Sequence, residues 1–297
     1  MIELGPSSIP SRSLPDWLKV SLPKGDNYFR LKASIHKRGL NTVCESASCP
    51  NIGSCWSAGT LTLMILGDTC TRACRFCDIP TGHMQVPRKR EPREVAAMLS
   101  RLNLKYAVIT SVDRDDLPDG GALIWVETIQ RVKKACPDMK VEVLIPDFQG
   151  KVSLIEKICQ AQPDVLTHNL ETVESLQSVV RPQCRYSWSL KTLEVASKNK
   201  MITKSSLMLG LGETKEEVIE SMRHLVAVNC QILSLGQYLQ PSKQHFKVVE
   251  YIHPNSFAEY KVIGETLGLK HVEAGPLVRS SFHADRQAQQ LVGFLQA

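Results

Sequence analysis

From Thr60 onward the chain alternates short apolar runs with stretches in which apolar residues recur every three or four positions. TLTLMILG, YAVITSV, VEVLIPDF, VLTHNL, SSLMLGL and ILSLGQYL read as buried strands. Between them, PREVAAMLSRLN, ALIWVETIQRVKKAC, SLIEKICQ, SLKTLEVASKN and KEEVIESMRHLVAV carry the helical period. Six apolar strands alternating with amphipathic helices predict an α/β fold of parallel β/α units. Right-handed crossovers curl such units into a partial or full TIM-like barrel. The expected barrel covers residues 60–242.

Two flanks lie outside that pattern. Residues 1–59 form an N-terminal extension broken by Pro6, Pro10, Pro15 and Pro23, with Tyr28, Leu31, Ile35 and Leu40 at mostly helical spacing. The cysteine-bearing stretch at 44–55 is rich in Ser, Pro and Gly and predicts no regular structure. Residues 243–297 form a C-terminal segment holding SFAEYKVIGETLG as a helix, the run HVEAGPLVRSSFHA, and DRQAQQLVGFL as a last helix.

Composition narrows the class. Hydrophobic content of 43% and charged content of 22% are those of an ordinary soluble domain. No apolar stretch reaches the roughly 18 residues of a membrane span. The N-terminus has neither a secretory core nor an Arg-rich amphipathic pattern, so the chain reads as cytoplasmic. The net charge is +6. Residues 1–90 hold 12 Lys and Arg against 6 Asp and Glu, and the remainder is balanced at 24 each. The excess therefore lies with the clustered cysteines, where it offsets bound anionic groups or steers an acidic partner.

Six of the ten cysteines fall between residues 44 and 77. Crowding of this kind in a long chain argues against a disulfide framework. Cys70, Cys74 and Cys77 form CxxxCxxC straight after the first barrel strand. Three thiolates this close hold three irons of a cubane cluster and leave the fourth open, as an open position marks a catalytic zinc. Cys44, Cys49 and Cys55 offer a second set of three. Two incomplete sets predict two 4Fe-4S clusters. A structural zinc wants four ligands, commonly in CxxC pairs, which this run lacks.

CxxxCxxC in a strand-to-helix loop resembles the signature of radical S-adenosylmethionine (SAM) enzymes. The resemblance implies SAM chelated at the open iron, a 5′-deoxyadenosyl radical, and Phe76 packed near the adenine. C-x4-C-x5-C just before it resembles the lipoyl synthase family. SVDRDDLPDGGA (111–122), HNLETV (168–173), GLGET (210–214), GQYLQPS (236–242) and RSSFH (279–283) extend the likeness over most of the chain. The family pattern has Tyr where this chain has Phe282.

That resemblance implies a sulfur transferase that inserts two sulfur atoms at C6 and C8 of a protein-bound octanoyl-lysine. It makes Ser281 the fourth ligand of the auxiliary cluster, with Ser280 the neighbouring choice, and the auxiliary cluster the sulfur donor. Serine oxygen is a hard donor, poorly matched to iron–sulfur chemistry and easier to displace than a fourth thiolate. Asp119, Gly120 and Gly121 match the superfamily's glycine-rich turn against the methionine amino group, though Asp-Gly-Gly is also an ordinary turn. Asn169 and Glu171 are candidates for the ribose hydroxyls, or else strand-end caps. Arg181 is a candidate for the cofactor carboxylate, or else a surface ion pair. The implied partners are octanoylated lipoyl carrier domains, such as 2-oxoacid dehydrogenase acyltransferase subunits and the glycine cleavage H protein, with a flavodoxin- or ferredoxin-type reductant. Neither nucleic acid nor membrane is expected. Two rivals stand beside this reading. Another radical enzyme with an auxiliary cluster, such as a methylthiotransferase or biotin-synthase relative, is the nearer. An electron-transfer protein would need complete four-cysteine sites. Cys136, Cys159 and Cys230 sit in apolar contexts that suit small core residues, and Cys184 stands apart from them.

Overall fold

Seven parallel strands and one antiparallel strand form a single curved sheet. The computed structural model of the 297-residue chain describes residues 14–20, 26–36, 40–47, 49–57, 60–102, 104–282, 284 and 286–287. The strands are β1 Asn41–Thr42, β2 Thr62–Ile65, β3 Tyr106–Ser111, β4 Lys140–Leu144, β5 Val165–Thr167, β6 Ile202–Leu209, β7 Ile232–Gln237 and β8 His271–Ala274. The helices are α1 Asp26–His36, α2 Val43–Ser46, α3 Ile52–Ser57, α4 Glu91–Leu102, α5 Ala122–Ala135, α6 Val152–Gln160, α7 Gln177–Val180, α8 Tyr186–Lys198, α9 Lys215–Ala227 and α10 Pro254–Leu267.

The sheet runs β1 to β8 in chain order, with β1 antiparallel to β2 and all other pairs parallel. Sequential parallel neighbours joined by helices make a TIM-like partial barrel, as the alternation predicts. Among the described residues β8 and β1 do not pair, so the barrel is open.

Each helix forms where local chemistry allows it to start and stop. Thr214 and Glu217 make a capping box at α9. Pro254 opens α10 and Gly268, in left-handed conformation, closes it. Val95, Met98 and Leu99 of α4, Trp125 and Ile129 of α5, and Ile155 and Ile158 of α6 bury their faces against the outer side of β2–β5. Val218, Met222 and Leu225 of α9 and Phe257 of α10 do the same against β6–β8.

Three features depart from the sequence reading. HVEA, read as part of a C-terminal run, is β8, and the sheet therefore continues past residue 242. Its four residues are too short a run to signal a strand without the neighbouring β7 to pair with. The first cysteine stretch is regular rather than irregular: α2 and α3 are short helices, and the Thr42 side chain accepts from Glu45 N–H at 3.3 Å. The last helix expected at 285–295 lies largely outside the described residues, although Ala284 and Gln287 are both buried. Ala284 packs with Tyr106, Val108 and Val165 inside the barrel.

Candidate active site

One cavity of about 520 Å³ runs inside the barrel and is lined by both cysteine sets. Cys70, Cys74 and Cys77 stand at the end reached by the loop after β2. Cys44, Cys49, Cys55, Ser280 and Ser281 stand where β2 begins. Met64, Ile79, Leu144, Leu207 and Met208 give the space between them an apolar lining.

The Cys70–Cys77 loop is fixed from three sides. Its backbone bonds to Pro80, Asp113 and Val180: Cys70 N–H donates to Pro80 O at 2.8 Å, Thr71 N–H to Asp113 O at 3.1 Å, and Arg75 N–H to Val180 O at 2.9 Å. Arg72 is the buried pin. Its guanidinium donates to both Asp115 oxygens at 2.7 and 2.9 Å and to both Asp147 oxygens at 2.7 and 2.8 Å. Two bidentate pairs at 1% side-chain exposure tie the loop to the ends of β3 and β4. Burial alone would raise the Asp147 carboxyl, but the Arg72 bonds hold it below its ordinary range. Burial pushes Asp113 up to about 6.

All three thiols hold their protons more firmly than a free cysteine. Burial pushes Cys70 up to about 11 and Cys77 up to about 12. A hydrogen bond with Cys184, followed by burial, raises Cys74 well above the usual thiol range. The N–H groups of Arg72 and Asp113 point at Cys70 Sγ at 3.5 and 3.3 Å, ready to stabilise a thiolate. Among the described residues no three His, Cys, Asp or Glu close round a single-ion position. The thiols face the cavity separately, and a cubane takes one thiolate per iron. The donor set fits such a cluster, and ligation there must release protons.

The far wall carries the polar residues of the β5 end. Asn169 Nδ2 donates to Glu171 Oε1 at 3.0 Å, and Arg181 Nη1 donates to Leu170 O at 3.1 Å. Asn169 Oδ1 and Arg181 Nε are buried on this wall without a partner. One acceptor and one cationic donor left open suit a ligand carrying both hydroxyl and carboxylate groups, as SAM does. Glu171 holds φ +68°, uncommon for a residue with a side chain, and burial raises its carboxyl. Arg181 is 6% exposed, which removes the surface-ion-pair alternative. Phe76 lines the same cavity and packs with Val180, Leu211 and Tyr238. His168 donates and accepts between Ile145 O at 2.8 Å and Ser189 Oγ at 2.9 Å; burial pushes it down to about 4, so it is neutral.

Asp119, Gly120 and Gly121 are placed elsewhere. β3 ends at Ser111, and none of the three lines the cavity. The Asp119 carboxylate accepts from Gly121 and Leu123 N–H at 3.0 Å each, which starts α5. Gly120 and Gly121 have φ +57° and +84°, and a Cβ on Gly121 would strike Leu66 at 2.5 Å. The turn chemistry serves the helix. The motif brings Asp113 and Asp115 to the site instead, through Arg72.

Sequence reasoning missed Arg72, Asp113, Asp147 and Cys184. Arg72 Nη1 donates to Cys184 Sγ at 3.3 Å. An Arg inside CTRACRFC and an Asp at a strand end are common residue types, and only the fold pairs them across 75 positions.

The auxiliary set is assembled from both flanks. Cys49 N–H donates to Cys44 O at 3.1 Å and Cys55 N–H to Asn51 O at 2.9 Å, so the three thiols share one small folded unit. Asn51 Nδ2 donates to Leu277 O at 2.6 Å and Thr62 Oγ1 to Ser281 Oγ at 2.9 Å. These bonds bring the C-terminal RSSF segment to the same end of the cavity as the cysteines. His283 lies outside the described residues.

Comparison with known proteins identifies the family. Residues 64–225 match the radical SAM superfamily, and residues 7–49 match the N-terminal domain of lipoyl synthase of the radical SAM family. Lipoyl synthase from Flavobacterium psychrophilum is 50% identical over 273 residues, covering 92% of this chain and 94% of that protein. The chain belongs to the lipoyl synthase family. Members from Thermus thermophilus (50% identical; 93% of this chain, 86% of that protein) and the mitochondrial one from Nematostella vectensis (48%; 93% and 96%) match over the same span. Family membership makes the chain a radical SAM enzyme, with SAM and 4Fe-4S clusters as its cofactors. Solved structures agree on the fold alone. Methylornithine synthase has a TM-score of 0.55 at 14% identity, covering 79% of this chain and 80% of that one. The FeFe-hydrogenase maturase from Carboxydothermus hydrogenoformans has 0.58 at 13%, covering 89% and 68%.

Proposed function

We propose that the chain inserts sulfur at C6 and C8 of an octanoyl group carried on a lysine of a lipoyl carrier domain. The observation that carries this reading is one largely apolar cavity with a thiol triplet at each end. An octanoyl chain laid along it faces both clusters, and its unactivated carbons offer no acidic proton to any side chain present. The bound cofactors supply a hydrogen-abstracting radical at one end and sulfur at the other.

The protein's own contribution is placement. Cys70, Cys74 and Cys77 hold the SAM cluster, and Cys44, Cys49, Cys55 and Ser281 hold the auxiliary one. Asn169 and Glu171 orient the ribose, Arg181 the methionine carboxylate, and Phe76 the adenine. The apolar wall of Met64, Leu144, Leu207 and Met208 excludes water from the reacting carbons.

The carriers proposed are 2-oxoacid dehydrogenase acyltransferase subunits and the glycine cleavage H protein, reduced through a flavodoxin or ferredoxin. The compartment proposed is the cytoplasm. Among the described residues no helix is long and apolar enough to cross a membrane. The basic first 90 residues suit an acidic carrier surface. Carrier affinity should then weaken as salt shortens screening from about 10 Å at 0.1 M to about 3 Å at 1 M, while a short octanoyl-lysine peptide should be insensitive. Mass spectrometry of an octanoylated carrier, after anaerobic incubation with reconstituted protein, SAM and reductant, tests the reaction. Gain of two sulfurs is expected, and a carrier of unchanged mass despite SAM cleavage would overturn it.

A further inference from the structure

Thr62 is the first residue of β2 and is 2% exposed. It lies between the two flanks that supply the auxiliary site. Its hydroxyl donates to Ser281 Oγ at 2.9 Å, and it neighbours the Cys44 thiol. Its register partner on β3 is Val108, whose side chain is apolar and offers the Thr62 hydroxyl no partner. One strand residue therefore lies against two proposed ligands that are 237 positions apart in sequence, as the residue numbers 44 and 281 show.

We infer that Thr62 is a positioning residue for the auxiliary cluster, which holds the Ser281 oxygen on the fourth iron through a hydroxyl hydrogen bond. The inference rests on the reading that Ser281 and Cys44 are ligands. Serine oxygen is a poor partner for iron in a sulfide cluster. A bound alkoxide carries negative charge, and a donor aimed at it makes a charge-assisted bond, stronger than one between neutral groups. Outer partners of this kind orient a ligand and commonly change metal affinity between about ten- and hundredfold when removed. Thr62 thus sets how firmly the weakest bond of the cluster is held. Thr62 belongs to the sheet, so it is the sheet that fixes the Ser281 segment to the cluster.

The test is the rate at which the reconstituted full chain loses its first auxiliary iron to a ferrous chelator under anaerobic conditions. Mössbauer spectra follow the cluster, and SAM cleavage serves as an internal check on the other one. Thr62→Val keeps the size and the backbone N–H but lacks the hydroxyl, and should lose iron roughly tenfold faster. Thr62→Ser should stay near wild type. Thr62→Ala against Thr62→Ser repeats the comparison, with the hydroxyl as the only difference, should the valine variant fail to load. Ser281→Ala should lose iron at least as fast as Thr62→Val, and the double variant no faster than Ser281→Ala. If Ser281→Ala is fast while Thr62→Val and Thr62→Ala keep the wild-type rate, the inference falls and the ligand reading stands. If Ser281→Ala matches wild type, the ligand reading falls and takes the inference with it. A double variant faster than Ser281→Ala would show that Thr62 acts by another route, which also overturns it.

Discussion

The two thiol sets share one cavity and are fastened in opposite ways. Cys70, Cys74 and Cys77 lie within a single loop, pinned by Arg72 to two strand ends through four charged hydrogen bonds. Cys44, Cys49 and Cys55 sit on two short helices, and their proposed fourth partner comes from the other end of the chain. There Asn51 of the N-terminal flank bonds to Leu277, and Thr62 of β2 to Ser281. A buried bidentate network is costly to open, whereas single hydrogen bonds are worth about 1 kcal/mol each. Under the proposed function the first cluster must survive turnover and the second must give up sulfur. The fastening matches that division.

The sharpest way to break the comparison is to remove thiols from one end at a time. Cys70→Ala, Cys74→Ala or Cys77→Ala should abolish SAM cleavage. Cys44→Ala, Cys49→Ala or Cys55→Ala should retain cleavage and abolish sulfur insertion, both read by chromatography of 5′-deoxyadenosine and mass of the carrier. Cleavage surviving in both groups would reverse the assignment of the clusters.

Next in size is the pin. Arg72→Met leaves Asp115 and Asp147 without their cation, and breaking a buried pair this way costs roughly 3–5 kcal/mol. Urea unfolding should register that loss. Iron content should drop at the first site while the auxiliary cluster still assembles. An equal drop at both sites would mean that Arg72 supports the fold in general rather than the loop.

The difference between the ends also explains what could be read in the sequence. Cys70, Cys74 and Cys77 stand out as proposed ligands because their spacing is local, and six strands declare themselves because buried parallel strands are near-continuous apolar runs. β8 escaped because His271–Ala274 is short and carries Glu273, so only its pairing with β7 makes it a strand. Asp119-Gly120-Gly121 are ambiguous in sequence because a glycine turn that starts a helix and one that cradles a ligand use the same residues. Arg72 with Asp147, and Thr62 with Ser281, were illegible for a plainer reason: their meaning lies in contacts between distant positions. Ser281 became a candidate through family likeness alone.

A smaller effect comes from pH. Burial holds His168 at about 4, below the ordinary imidazole range. A buried base with a lowered value is protonated first in the unfolded chain, so stability is lost as pH falls from about 6.5 towards 4, by roughly 3 kcal/mol in full. His168→Asn keeps a donor for Ile145 O and removes the titration. Its urea midpoint should change less between pH 7.5 and 5.5 than that of the wild type. An equally steep fall in the variant would assign the acid sensitivity to other groups.

The smallest effect tests the weaker fastening directly. Asn51 Nδ2 to Leu277 O, at 2.6 Å, joins the auxiliary cysteines to the C-terminal segment across 226 positions. Asn51→Ala leaves a partly buried carbonyl without its donor, at a cost of about 1–3 kcal/mol. Little of that should appear in global unfolding, because the sheet and its helices do not depend on this bond. It should appear as faster proteolysis near residue 277 and faster iron loss from the auxiliary cluster, with SAM cleavage unchanged. Proteolysis and iron loss at wild-type rates would show that the C-terminal segment is held by packing alone. Slowed SAM cleavage would show that the two ends of the cavity are mechanically coupled, and the contrast between them would then be one of sequence distance rather than of independence.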